Sequence, residues 1–227
     1  YRAIANGNSV KVELLKTNFD EDSFAENYEC KFLDESTSYF PYNLLRERIG
    51  TIPEDLTGGK YYIGVDVARK QHLTAFVVLV KLKDFVYTKE VVTRKRATFN
   101  EQKEVIRNLC ERYPFEAGGI DATGIGSQMA EEINEEFPFI KPIVFTNKIK
   151  EQLVTGTKKR FENGQVQIPD DQDLLSDFHR IRRSVTASNN VIFDAVANSK
   201  SHADRFWAWA IAEYSGQSDV QPNIIII

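Results

Sequence analysis

The sequence predicts an α/β fold: a mixed central sheet, part antiparallel meander and part parallel strands, flanked by helices and carrying an auxiliary β-hairpin. Three observations predict it. Residues 61–65 and 73–80 are apolar runs on either side of a polar turn at 67–72, and the second is rich in β-branched residues, as a strand buried on both faces would be. A third run, 85–93, follows a turn at Lys83-Asp84 and completes a meander. Farther on, a short strand at 117–121 is followed by a helix and a strand at 140–145, a unit that closes as a parallel crossover.

In chain order, the first strand ends in an acid, Asp66, at the mouth of the hairpin. A strand-terminal acid loses hydration unless a cation, a metal or a helix N-terminus stands beside it, although an ordinary turn Asp is the plain alternative. On the third strand, Phe85, Tyr87 and Val91 are expected on one face. Thr98-Phe99-Asn100-Glu101 reads as a capping box, and Val105, Ile106, Leu109, Cys110 and Tyr113 make the apolar stripe of a helix over 100–112. The strand at 117–121 again ends in an acid, Asp121. The turn 122–127 leads to a helix carrying Ile125, Met129 and Ile133. Asp121 is either that helix's N-cap or a second acid at the carboxyl end of a neighbouring strand, where open α/β sheets place their sites. Gly124 and Gly126 are too little to define a phosphate loop.

Residues 148–161 are helical by the spacing of Ile149, Leu153 and Phe161, and carry Lys148, Lys150, Lys158, Lys159 and Arg160. A short strand at 166–168 precedes a helix over 171–182 on Leu174, Leu175, Phe178 and Ile181. Arg180, Arg182 and Arg183 stand at its end, where bases complement the helix dipole. Residues 184–195 alternate around Asn189-Asn190 as a hairpin. The last helix, 201–214, takes Ser201 as its N-cap and places Asp204 in its first turn, where the dipole favours an acid without any catalytic need.

Residues 1–57 differ in character. They hold 6 basic and 11 acidic side chains, against 23 and 22 in the remainder, so the main body is near neutral with its bases clustered. Such clusters bind phosphates with salt-dependent affinity. A strand at 10–15, an acidic helix at 19–29 and a turn-rich stretch at 51–59 give this region the composition of a connector. The chain starts at Tyr1 without a leader-like segment and reads as a piece of a longer protein. Cys30 and Cys110 are far apart among apolar neighbours, which fits reduced thiols in an intracellular protein rather than a disulfide or zinc framework. No Walker A loop is present, and no apolar run approaches the ~20 residues of a membrane span.

Three acids thus hold special places, and three convergent carboxylates suffice for two divalent ions of the magnesium type. The segments around them, Gly64-Val65-Asp66-Val67-Ala68-Arg69, Gly119-Ile120-Asp121-Ala122-Thr123-Gly124 and Ser201-His202-Ala203-Asp204-Arg205-Phe206-Trp207, resemble the three nuclease motifs of the large terminase subunits of tailed bacteriophages. Glu162-Asn163-Gly164-Gln165-Val166-Gln167-Ile168-Pro169 and Phe24-Ala25-Glu26-Asn27-Tyr28-Glu29 match further stretches of that family, in order and with compatible gaps.

The resemblance implies a ribonuclease H-like fold and a metal-dependent endonuclease that cuts concatemeric viral DNA at the start and end of genome packaging. It implies Mg2+ or Mn2+, two ions per site, with Asp66 bridging them and Asp121 and Asp204 each completing one. It also implies a connector at 1–57 from an N-terminal ATPase domain, a nuclease domain at 58–216 and a tail at 217–227. Portal and small terminase subunit are the implied partners, and the host cytoplasm the implied location. The family often has a second acid about half a dozen residues after the first; here that residue is His72, an auxiliary candidate together with His202.

For duplex contact the candidates are Lys148, Lys150, Lys158, Lys159, Arg160, Arg180, Arg182 and Arg183, because phosphates along a duplex need bases spread over several turns. Nothing suggests base-specific reading. Two competing readings are an actin- or sugar-kinase-like nucleotide-binding domain, which would want glycine or hydroxyl residues after Asp66 where Ala68, Arg69 and Lys70 stand, and a non-catalytic DNA-clamping or portal-docking module.

Overall fold

The computed structural model of the chain describes residues 38–68, 73–186, 189–196 and 202–217, and of Ile125 the backbone alone. The strand expected at 10–15, the helix expected at 19–29, His72 and Ser201 lie outside the described residues. Strands β1 (Lys60–Asp66), β2 (Leu73–Leu82) and β3 (Phe85–Lys95) form the antiparallel meander. β4 (Phe115–Asp121) pairs in parallel with β1, β5 (Ile140–Ile143) in parallel with β4, and the short β6 (Val166–Gln167) in parallel with β3. The sheet therefore runs β5-β4-β1-β2-β3-β6. Its central strands β1 and β2 are the most continuously buried, which is why they read as near-unbroken apolar runs.

Helices cover both faces. On one, α2 (Phe99–Arg112) and α3 (Ser127–Glu136) set Ile106, Leu109, Met129 and Ile133 against Ile63, Val65, Phe76 and Val78. α2 begins with the anticipated capping box: the Thr98 hydroxyl accepts from Glu101 N and the Glu101 carboxylate accepts from Thr98 N at 2.7 Å. On the other face lie α1 (Tyr42–Arg46), α4 (Asn147–Glu162), α5 (Gln172–His179) and α6 (Asp204–Ser215). Phe40, Phe161, Phe178, Phe206 and Trp209 meet there edge to face or tilted, with Phe178 5.0 Å from Phe206. The end of the expected connector belongs to this core: Phe40 and Leu45 are fully buried, Ser38 bridges to Arg182 and Ile49 to Ile168.

α6 is buried on nearly every side and lies directly on β1. Its approach depends on Gly64. A Cβ there would overlap the Ala208 carbonyl oxygen and come within 2.5 Å of Ala212 N, so a hydrogen at Gly64 opposite two alanines one turn apart lets helix and strand touch backbone to backbone. The Trp209 indole then reaches across to donate to Thr88 Oγ1 at 2.8 Å.

Several boundaries differ from the sequence reading. α5 ends at His179 rather than at Arg182, because Ile181 is drawn into the core as the first residue of β7 (Ile181–Val185), which pairs with β8 (Val191–Ala195). Arg182 and Arg183 are thus strand residues and owe nothing to a helix dipole. The turn of this hairpin uses Asn189 in the left-handed region, at φ 65°. α6 starts at Asp204 with Ala203, not Ser201, as its N-cap. Ile125 falls in a 3-10 turn, Gly124–Gly126, ahead of α3. A register shift opposite Val78 and Leu79 puts Val91 on the side of Val86 and Thr88, away from Tyr87.

Gly64→Ala is expected to destabilise the fold by about 2 kcal/mol or more, the cost of forcing an atom into a filled contact. Gly156→Ala, inside α4 and facing only the end of Gln217, is expected to be neutral or to gain up to about 1 kcal/mol. Denaturant melts of the two variants beside the wild type measure both.

Candidate active site

The end of the sheet where β1 and β4 point in the same direction gathers the acids. Asp66 closes β1 and Asp121 closes β4 in the adjacent parallel register, while the α6–β1 contact delivers Asp204 in the first turn of α6. Each is held differently. The backbone just beyond Asp66 is tied down at Ala68, whose N–H donates to Thr74 Oγ1 at 3.1 Å and whose carbonyl accepts from Gln102 Nε2 at 2.8 Å; both side chains are buried. Asp121 does not cap α3, whose N-cap is Gly126; its Oδ1 accepts from Thr123 N at 2.8 Å in a local turn. The Thr123 hydroxyl in turn accepts from Phe145 N at 2.9 Å, tying that turn to the chain beyond β5. Asp204 follows Ala203, which is fully buried and in the left-handed region at φ 61°, a strained conformation for a residue with a Cβ.

The electrostatics join the three. Burial pushes the Asp66 carboxyl well above the ordinary carboxylate value, and Asp204, Asp121 and Asp177 push it further, with Lys150 opposing. Burial and then Asp177 raise Asp204, while His202 and hydrogen bonds to backbone N–H groups pull it back. Burial raises Asp121 against its Thr123 hydrogen bonds and Lys150. Lys150, in the first turn of α4, stands at this mouth with its Nζ 2.7 Å from Asp194 Oδ1 of β8 and 5.3 Å from the centre of the Trp207 ring.

Oxygen-only donors crowded where burial and mutual repulsion oppose ionisation fit a hard divalent cation, whose charge would offset both. Among the described residues, no three Asp, Glu, His or Cys side chains are gathered closely enough to hold an ion as they stand. The fit is therefore one of donor chemistry and charge.

Of the auxiliary histidines, His202 is exposed beside Asp204, and His72 is outside the described residues. The basic candidates divide. Lys148, Lys159 and Arg183 are exposed. Arg160 places Nε and Nη2 on Glu213 Oε1 at 2.8 and 2.6 Å and Nη1 on the Asp84 carbonyl. Lys158 donates to the Tyr39 carbonyl at 2.7 Å, Arg180 is buried, and Arg182 turns back to the His179 and Ile181 carbonyls. The sequence reading missed Asp177, which is 1% exposed and acts on both Asp66 and Asp204. Its signal was present: it stands three residues after Leu174 and next to Phe178, on the apolar stripe of its own helix, where an unpaired acid is costly.

A mixed sheet in this order, with acids at the ends of two neighbouring strands and at the start of a helix crossing them, defines a ribonuclease H-like α/β domain. The family model of the terminase RNaseH-like domain matches residues 63–213, and the chain belongs to that family. It is 28% identical over 214 residues to the terminase ATPase subunit of Escherichia phage P2, covering 87% of this chain and 36% of that protein. To the terminase large subunit of Thermus virus P23-45 it is 29% identical over 210 residues, covering 86% of this chain and 41% of that one. The chain thus spans about two fifths of the length of the curated relatives it matches. The crystal structure of the large terminase nuclease from thermophilic phage G20c with bound magnesium superposes with a TM-score of 0.67 at 25% identity, over 78% of this chain and 97% of that one.

The electrostatics predict a pH dependence. An acid whose folded pKa is raised adds stability below its unfolded pKa and loses it as pH climbs through the folded one. In chelator, Asp66→Asn is therefore expected to melt above the wild type at pH 8, with the gap closing as pH is lowered toward about 4, near the unfolded carboxylate value. Thermal melts across that range check it; a gap of constant size would remove Asp66 ionisation as its source.

Proposed function

We propose that this chain is a metal-dependent endonuclease that hydrolyses double-stranded DNA, cutting concatemeric viral genomes during packaging with weak sequence preference. The observation that supports this most directly is the meeting of Asp66, Asp121 and Asp204 at one end of the sheet, each pushed toward protonation by burial and Asp66 further by the other two. Membership of the terminase RNaseH-like family and the magnesium in the related G20c nuclease supply the chemistry that such an arrangement suits.

Asp66, Asp121 and Asp204 would together hold Mg2+ or Mn2+, two ions per site. When bound, the ions supply an activated water and stabilise the leaving 3′ oxygen. The protein's own part is to hold the acids and the substrate. The Thr123 N–H orients Asp121, the Gln102 and Thr74 ties steady the backbone after Asp66, and the α6–β1 contact sets Asp204. Lys150 offsets negative charge at Asp66 and Asp121. Lys148 and Lys159 lie three turns apart, roughly 16 Å along one face of α4, and with Arg183 they are the exposed bases among the candidates for duplex phosphates. Arg160, Lys158 and Arg180 serve the fold first. The remaining partners in this reading are an ATPase domain of the same protein, the portal and the small terminase subunit, in the host cytoplasm.

Supercoiled plasmid incubated with the chain in Mn2+, Mg2+ or chelator is expected to be nicked and linearised in metal alone. Asp66→Ala, Asp121→Ala and Asp204→Ala are each expected to cut at least ~100-fold more slowly while remaining folded. Wild-type cutting by any one of them removes that acid from the site. Duplex binding without cutting in any metal would favour a clamp instead.

A further inference from the structure

Helix α6 carries Asp204, yet its own N-cap residue, Ala203, has no side chain able to accept a hydrogen bond. The first amides of a helix lack partners within it, and the second is one that an N-cap oxygen ordinarily satisfies. Here that amide belongs to Arg205, and it donates to Asp177 Oδ2 at 3.1 Å from another helix, α5. The same oxygen accepts from Arg205 Nη1 at 3.2 Å, and Arg205 Nη2 reaches Asp173 Oδ2 at 2.6 Å. Asp173 and Asp177 are one turn apart on α5, so the helix grips both the backbone and the guanidinium of the residue next to Asp204. The inner partner is sealed, at 2% side-chain exposure for Asp177 and 11% for Arg205, while Asp173 is 74% exposed.

We propose that Asp177 is a positioning residue for Asp204: it caps α6 from the neighbouring helix through the Arg205 N–H, and so fixes where the first turn of α6 presents its carboxylate. This rests on the reading of Asp204 as part of a nuclease site. A cap in another element has a consequence that a local one lacks. The strained Ala203 turn is held by α5, so the direction of Asp204 is set by how α5 and α6 pack as well as by its neighbours in the chain. It also explains why an acid tolerates a place on the apolar stripe of α5: its charge is matched by Arg205, and one of its oxygens accepts from both the backbone N–H and the guanidinium.

The test couples two readouts, amide hydrogen exchange at Arg205 by NMR and metal-dependent plasmid cutting, with duplex affinity and thermal melts as controls. In the wild type the Arg205 amide is expected to be protected despite its place in the first turn. Asp177→Ala is expected to speed its exchange about tenfold or more and to slow cutting about tenfold or more, at unchanged duplex affinity, since small displacements of a reacting group are costly in rate. Asp177→Asn, which keeps an acceptor, is expected to stay within about threefold of wild type in both. An unprotected Arg205 amide in the wild type overturns the proposal, as does a folded Asp177→Ala that cuts at the wild-type rate. Should the alanine variant not fold, Asp177→Asn decides: a loss of cutting with the Arg205 amide still protected would mean that charge, not position, is what Asp177 contributes. If the wild type itself cuts in no metal, the nuclease reading fails, and the amide readout still answers whether Asp177 caps the helix.

Discussion

The contact between α6 and β1 at Gly64 is the constraint on which the site depends. A strand that carried a side chain at this position would hold the helix farther off, and Asp204 would no longer share an end of the sheet with Asp66. The requirement is met from both sides, by the missing Cβ of Gly64 and by the small Ala208 and Ala212. Bulk is supplied elsewhere on the same helix, by Phe206, Trp207 and Trp209, which fill the space toward α4 and α5 and stop α6 from sliding along the groove that the alanines make.

Charge is distributed with a similar division. Buried acids of the fold are matched: Glu213 by Arg160 and Asp177 by Arg205, each through charge-assisted hydrogen bonds that leave little of either partner in water. At the candidate site like charges face one another: Lys150 is the opposing cation at Asp66 and is shared between Asp66, Asp121 and Asp194, while His202 opposes the rise at Asp204. A folded protein that satisfies its internal charges in one place and crowds like charges in another is holding a group of carboxylates against their own preference. That imbalance is what a divalent cation relieves.

Much of this was readable from residue order. The meander, the capping box at Thr98 and Glu101, the parallel crossover and the two strand-terminal acids follow from local patterns: apolar runs, a 3.6-residue stripe, a Ser/Thr-x-x-Glu start. The boundary of α5 was not, because Leu174, Leu175, Phe178 and Ile181 continue a helical stripe, and only the pairing of Ile181 with Ala195 tells that the last of them is a strand residue. The α6 start was misplaced for a related reason. Ser201 is a good cap by composition, whereas the helix is capped by Asp177 of α5, which no local window contains.

By itself, then, the sequence determined the fold class and the order of the elements, and it singled out three acids that the fold brings to one end of the sheet, since each depends on periodicity or on a residue's place at the end of a run. Only the tertiary structure decided which charges are free to act. Arg160, Lys158 and Arg180 look like the other bases of their segments in the chain, but burial and partners from distant elements commit them to the core, while Lys148, Lys159 and Arg183 stay in solvent. It likewise brought Asp177 and Lys150 to the acids. The reason is physical: desolvation and Coulomb interaction depend on distance through space, and neighbours along the chain carry little information about neighbours across a packed interface.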